Sequence, residues 1–341
     1  MIVKKNQSLL KLNSFKIDVY AKEYVEITDE SELLELYRQH RKKKILFIGG
    51  GSNILFTKNF NGLVVHLNIK GKNYKKINDK YVMVSASSGE NWNDLVNWCV
   101  NNGFGGIENL SLIPGNVGGA PVQNIGAYGC ELKDVLVSCK VYNWENGSFC
   151  EYECSQCDFD YRDSIFKKNK SLLITKVNLK LTTKNHLIIS SYSGINEELK
   201  ELGVKNASIK DISNAVSNIR SRKLPNPEKV GNAGSFFKNP IVEKNQLDFL
   251  IKNFENIPYY NIDNNLFKIP AAWLIEKCGF KGKTFINFGV SEKQPLVLVN
   301  YGGASGKEIL QLSKSIVSTV KKIFKIKLET EVNIISSNEL F

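Results

Sequence analysis

The chain has 341 residues, of which 42% are hydrophobic and 23% charged, proportions that exclude a largely disordered chain and, at this length, a single small binding module. Forty-six Lys and Arg against 34 Asp and Glu leave a net charge of +12, which favours anionic partners. Only five of the cations are arginines, and there is neither a basic tail nor a basic block interleaved with aromatics, so small anionic molecules are favoured over nucleic acid.

No stretch approaches the ~20 apolar residues of a membrane span, and residues 1–15 lack the apolar run of a signal peptide, so a cytoplasmic protein is expected. Seven scattered cysteines suit reduced thiols. Cys150, Cys154 and Cys157 form C-x3-C-x2-C without a fourth ligand nearby, so no metal is expected.

In chain order, residues 31–40 have helical periodicity behind Thr28 or Asp29 as candidate caps, and 44–48 read as a short buried strand. Gly49, Gly50, Gly51, Ser52 and Asn53 then form a turn, followed by strands at 54–56 and 62–67. Trp92, Leu95, Val96, Cys99 and Val100 recur at helical spacing ahead of Gly103, the pattern of an amphipathic helix with a left-handed stop. Seven glycines and two prolines between 104 and 130 exclude a long regular element there, and a loop of that length in a compact domain is usually functional. Strands are expected at 135–144 and 171–181, and a helix at 208–222 stopped before Pro225 and Pro227, the expected domain boundary. A helix at 271–279 and a strand at 295–300 precede a final helix, which opens on a Ser305 and Glu308 capping box and carries Ile309, Leu312, Ile316, Val320 and Ile323 as one stripe. The tail 328–335 reads as a strand. Strands and helices do not alternate regularly, so the fold class is α+β with antiparallel character.

A strand followed by Gly49, Gly50, Gly51, Ser52 and Asn53 suits a phosphate cradle, because residues without side chains let successive backbone N–H groups reach anionic oxygens. A plain hairpin fits this turn equally well. The dinucleotide pattern G-x-G-x-x-G fails at Ile54, and a phosphate-loop reading of Gly282, Lys283 and Thr284 fails at Lys277, where its first glycine belongs. A second glycine-rich segment holds Pro114, Gly115, Gly118, Gly119, Gly126, Ala127 and Tyr128. Together the two segments can line an extended cofactor, with backbone amides at a diphosphate. His40, His66 and His186 are isolated, so a histidine-based hydrolase or a zinc enzyme is disfavoured, and redox chemistry needs a borrowed cofactor.

The segments GGGSNILF (49–56), GIENLSLIPGNVGGAPVQNIGAYG (106–129), YRDSIFK (161–167), KLPNP (223–227), GNAGSFFKNP (231–240), AAWLIEKCGFKG (271–282) and LETEV (328–332) resemble, in order and over nearly the whole chain, the UDP-N-acetylenolpyruvoylglucosamine reductase (MurB) family. The resemblance implies a flavin domain of the type shared with vanillyl-alcohol oxidase and p-cresol methylhydroxylase. Its two α+β lobes fall at 1–70, with the tail 328–341 returning to it, and 71–222; a smaller α+β substrate domain follows at 223–327. It implies noncovalent FAD held by residues 49–53, 114–119 and 126–128, reduced by NADPH. It also implies hydride transfer to UDP-N-acetylglucosamine enolpyruvate, giving UDP-N-acetylmuramate for peptidoglycan synthesis. By match to the family's motifs, Arg162 faces the substrate carboxylate, Glu331 assists as an acid or by hydrogen bonding, and Ser235 donates the proton. Tyr192 is similar to the tyrosine that closes over substrate in the family's longer subtype, and Arg220, Lys223 and Asn239 resemble residues near the UDP diphosphate or the nicotinamide. A monomer without nucleic-acid or membrane partners is expected. In two places the chain departs from relatives: a glycine in GGGSN where others often carry glutamate, and Asn333 in place of an arginine. The rival readings are another FAD-dependent sugar or lactone oxidoreductase and a basic nucleic-acid-binding protein.

Overall fold

The computed structural model describes residues 1–192 and 194–336; the last five residues of the tail expected to return to the first lobe lie outside them. The first sheet runs Lys4–Ser8, Tyr20–Ile27, Phe60–Leu67, Ile45–Ile48. Phe60–Leu67 is parallel to both of its neighbours, which corrects the expected antiparallel character for this part of the chain. The physical reason lies in the apolar runs: Ile45, Leu46 and Ile48, and Leu63, Val64 and Val65, are buried, and strands covered on both faces pair in parallel through crossovers. One crossover is the helix Ser31–His40, which buries Leu33 and Leu36. Of the two candidate caps Asp29 is the one used: its Oδ1 accepts from the Ser31 amide at 2.8 Å, and the Glu32 carboxylate turns back to accept the backbone N–H groups of Thr28 and Asp29 at 2.7 and 3.1 Å.

The second sheet, ordered Ser148–Glu153, Leu136–Asn143, Leu172–Thr182, Tyr81–Ser87, Lys72–Lys76, is antiparallel throughout. The helix Trp92–Asn101 packs its apolar stripe into this sheet's core after an N-cap in which Asn91 accepts from the Asp94 amide at 3.0 Å. Trp92 Nε1 donates to the Leu110 carbonyl at 3.0 Å, tying this helix to the glycine-rich segment. That segment has no long element, only short 3-10 turns at Glu108–Leu110, Val117–Gly119 and Pro121–Gln123.

The remaining chain forms two three-stranded sheets and the helices Lys244–Asn253, Ala271–Lys277 and Gly306–Phe324. Its core is continuous with one face of the first sheet: Leu46, Ile48 and Phe56 share a cluster with Phe236, Leu274 and Ile316. The second sheet meets the other face of the first sheet through Tyr142, Trp144 and Leu173. Helix Ile209–Lys223, capped by Ser208 and Asp211, makes a small core of its own with Ile195–Glu201.

Three other expectations are corrected. The stripe of the last helix ends on buried Phe324, whereas Ile323 is 41% exposed, because the residue on the same face after Val320 is four positions on. The strand expected at 295–300 is regular only at Leu298–Asn300, since a turn closes with the Val297 amide on the Gln294 carbonyl at 2.9 Å. The tail is a strand only at Asn333–Ile335, parallel to Ile54–Phe56. Cys150, Cys154 and Cys157 turn their thiols to the carbonyls of Val141, Lys133 and Glu153. Among the described residues no three His, Cys, Asp or Glu are placed to hold a metal, and no helix is long and apolar enough to cross a membrane.

Gly51 has φ +62°, and a Cβ there would lie 2.0 Å from the Leu12 carbonyl oxygen. Gly51→Ala is therefore expected to cost about 2 kcal/mol, read as a lowered thermal midpoint. Gly119→Ala, where an added methyl meets nothing within 4 Å, should leave it nearly unchanged.

Candidate functional site

The strand Ile45–Ile48 delivers the glycine turn to one wall of a cavity of about 250 Å³, whose opposite wall is the segment 113–120. A Cβ on Gly50 would lie 2.7 Å from Asn116 Oδ1, so the two walls approach as closely as a bare backbone allows. The N–H groups of Gly50, Gly51, Ser52 and Asn53, residues that line the cavity, donate to no acceptor among the described residues, so they are available as donors to an anion. The N–H groups of Gly118 and Gly119 are already committed, to the carbonyls of Ser88 and Asn116, at 2.9 Å each. These two glycines therefore offer the cavity a close surface and no donors.

Gly49, Gly50, Gly51, Ser52, Asn53, Pro114, Gly115, Gly118 and Gly119 all line this cavity. Gly126 does not; it lines a second one, and a Cβ on it would come 2.8 Å from Arg162 Nη1, so its part is to make room for that guanidinium. Ala127 and Tyr128 line neither. Sequence reasoning missed Ser88, whose buried Oγ has no hydrogen-bond partner although the residue lines the first cavity. A serine at a strand end carries no motif. It also missed Lys167 on the same cavity, and Tyr161 on the second, although both stand inside the segment YRDSIFK.

The second cavity, about 190 Å³, adjoins the first along a shared wall of Ser52, Asn53, Ile113, Pro114, Gln123 and Ile125. Arg162, Ser235 and Glu331 are brought together on it, with Arg220 and Asn239. Backbone pairing does this. Ser235 bridges Val297, the Phe236 amide donates to Leu296 O at 2.8 Å, and on the other side the Glu331 amide donates to Phe236 O at 2.8 Å.

Arg162 sits at φ +55°, a costly conformation for a bulky residue, of the kind that persists where surrounding structure over-determines it. Its guanidinium donates to the carbonyls of Asn124 and Gly126, lies 3.9 Å from the Glu131 carboxylate, and places Nε 3.6 Å from Glu331 Oε1. Lys167 Nζ holds the Arg162 carbonyl at 3.0 Å. Burial pushes the Glu331 carboxyl above its ordinary 4.5, with Arg162, Lys167 and Lys238 pulling the other way. Arg220 gives its Nε to Leu112 O at 3.2 Å and forms no ion pair with a carboxylate among the described residues; burial draws its guanidinium below the ordinary 12.5. A half-buried guanidinium without a carboxylate partner, on a cavity that already holds Arg162, suits an anionic ligand.

Asn239 uses its side-chain oxygen to accept from the Ala271 amide at 2.9 Å, so its first role is to seat a helix at the cavity wall. Lys223 and Tyr192 line neither cavity. Lys223 is exposed beside Gly194, and Tyr192, 52% exposed, sets its ring edge-on to Tyr128 at 5.9 Å.

Residues 21–152 match the FAD binding domain family, and residues 226–335 match the family described as UDP-N-acetylenolpyruvoylglucosamine reductase, C-terminal domain. The paired cavities and the first of these matches define an FAD-binding oxidoreductase. A UDP-N-acetylenolpyruvoylglucosamine reductase of Flavobacterium johnsoniae is 46% identical over 337 residues, covering 98% of this chain and 100% of that protein. Another, of Amoebophilus asiaticus, is 43% identical with the same coverage. The crystal structure of the Thermus caldophilus enzyme of that name shares the fold, with a TM-score of 0.68 at 22% identity over 98% of this chain and 100% of that one. The chain belongs to the UDP-N-acetylenolpyruvoylglucosamine reductase family.

The first cavity fits FAD on its own features: free amides on a glycine turn for the diphosphate, no room for a methyl at Gly50, Gly51, Gly115 or Gly118, and an orphaned buried hydroxyl at Ser88.

A carboxyl whose folded value is raised contributes stability that is present at low pH and lost as pH rises through that value. Glu331→Gln should therefore gain thermal midpoint relative to the parent chain as pH rises from about 4.5 toward 8. A difference that does not change with pH would count against the buried, raised carboxyl.

Proposed function

We propose that this chain reduces UDP-N-acetylglucosamine enolpyruvate to UDP-N-acetylmuramate at the expense of NADPH, in the cytoplasm, as a monomer and without nucleic-acid partners. The observation that carries this reading is the shared wall between a cavity suited to a flavin diphosphate and one lined by Arg162, Arg220, Ser235 and Glu331. Residues 1–70 and 71–222 act as the cofactor lobes, and 223–327 as the substrate domain. Residues 49–53 and 114–119 hold the cofactor, while Gly126 makes room for the Arg162 guanidinium beside it.

Bound FAD supplies the hydride, received from NADPH, that adds to the enolpyruvyl methylene carbon. Negative charge then collects on the substrate carboxylate and its neighbouring carbon, and Arg162 stabilises it where it forms. Ser235 gives its Oγ proton to that carbon, completing the addition of a hydride and a proton across the double bond. A serine hydroxyl is a weak acid in water, so its transfer depends on a preorganised site, and Glu331 assists as an acid or by hydrogen bonding. Arg220, Lys223 and Asn239 take the diphosphate or the nicotinamide cofactor, and Tyr192 closes over the substrate.

The purified protein should be yellow and should oxidise NADPH rapidly only with the enolpyruvyl sugar present; a colourless protein retained on DNA would refute the reading. Ser235→Ala should keep flavin reduction by NADPH within about twofold while slowing product formation by about 10²-fold or more, and equal loss of both half-reactions would refute the serine's role. Arg162→Lys should cost about 10²-fold in kcat/KM, because an ammonium cannot replace a guanidinium fork; near-normal turnover would exclude carboxylate contact.

A further inference from the structure

Glu331 projects from a segment that is held on both sides. Its amide is fastened to the carbonyl of Phe236, the residue after Ser235. Its carbonyl accepts from Asn53 Nδ2 at 3.2 Å, and the same side-chain amide also donates to Gln123 Oε1. Asn53 thus links the glycine turn to the Glu331 backbone. The orientation of Asn53 is set in turn by Asn333, whose backbone N–H and side-chain Nδ2 both donate to the Asn53 carbonyl, each at 3.1 Å. Those two bonds take up both lone pairs of one carbonyl. They also start the parallel register of Asn333 with Ile54, which Thr57 closes by donating its N–H and Oγ1 to Ile335 O at 3.1 and 3.0 Å.

We infer that Asn333 is a positioning residue for the reductive step: its double bond to the Asn53 carbonyl fixes Glu331 in register with the glycine turn. The inference rests on the proposed role of Glu331. Asn333 lines the first cavity and not the one that holds Ser235, Arg162 and Glu331, and it reaches Glu331 through two hydrogen bonds by way of Asn53, so it acts through Asn53 and not on the substrate. Without its side chain one lone pair of the Asn53 carbonyl is released, the Asn53 peptide can tilt, and the Glu331 carbonyl loses a fixed donor. The carboxylate then drifts relative to the turn, and catalytic steps are sensitive to fractions of an ångström. Flavin reduction by NADPH does not use Glu331, so it should be spared.

The test uses the flavin-loaded enzyme, with Asn333→Ala, and Asn333→Leu as a variant that keeps the volume without the donor. Expected are retained flavin, reduction by NADPH within about twofold of the parent, and reoxidation by the enolpyruvyl sugar slowed about tenfold in both variants, seen as a lowered kcat with KM held within about twofold. Amide hydrogen exchange over 329–335 should accelerate in both. Equal loss in the two half-reactions, or parent-like reoxidation, overturns the inference. Unchanged exchange also overturns it, and that readout decides on the clamp even if the parent enzyme fails to reduce the sugar, which would instead refute the proposed function.

Discussion

The arrangement depends on one wedge: the tail segment around Glu331 lies between the bridged segment that carries Ser235 and the glycine turn that follows the strand Ile45–Ile48. Its backbone pairs with the first and its side-chain and main-chain groups pair with the second. If the tail were displaced, Ser235 and Arg162 would lose the neighbour between them, and the shared wall of the two cavities would lose the bond that Asn53 gives to the Glu331 carbonyl. This explains why the first sheet and the C-terminal half share one core: the site is built across them, so they must not slide.

Charge follows the same logic. The chain carries twelve more cations than anions, yet the site uses few of them, and those few are constrained. Arg162 is held by two carbonyls and flanked by two carboxylates in a left-handed backbone conformation, which fixes a rigid fork at the cost of local strain. Arg220 is half-buried and forms no ion pair with a carboxylate among the described residues, which leaves it ready for an anion brought by the ligand. Glu331 is buried among cations that do not fully offset its desolvation, so the same pocket that favours an anionic substrate also favours a protonated carboxyl.

Local features were legible in the sequence. The glycine turn, the helix from Trp92, the capping box at Ser305 and the long irregular segment after Gly103 are written in neighbouring residues, where backbone geometry and 3.6-residue spacing decide. Arg162, Ser235 and Glu331 were found through motifs, and the fold brings them to one cavity. Illegible were the pairings between distant segments. Nothing near Asn333 announces that it meets Ile54, and nothing near Phe60 announces a strand with two parallel partners. Ser88 was invisible because its significance is an absent partner in a folded cavity. The family resemblance puts Ala127 and Tyr128 at the cofactor, but neither lines a cavity, and Tyr128, at φ +50°, sets its ring against Tyr192.

The most direct test of the central claim, that the two cavities form one reaction space, is an anaerobic titration of the bleached, flavin-reduced protein with the enolpyruvyl sugar. One equivalent should restore the full yellow spectrum, with one equivalent of the lactyl product formed. A protein that stays bleached in the presence of excess sugar, while remaining reoxidisable by air, would contradict it.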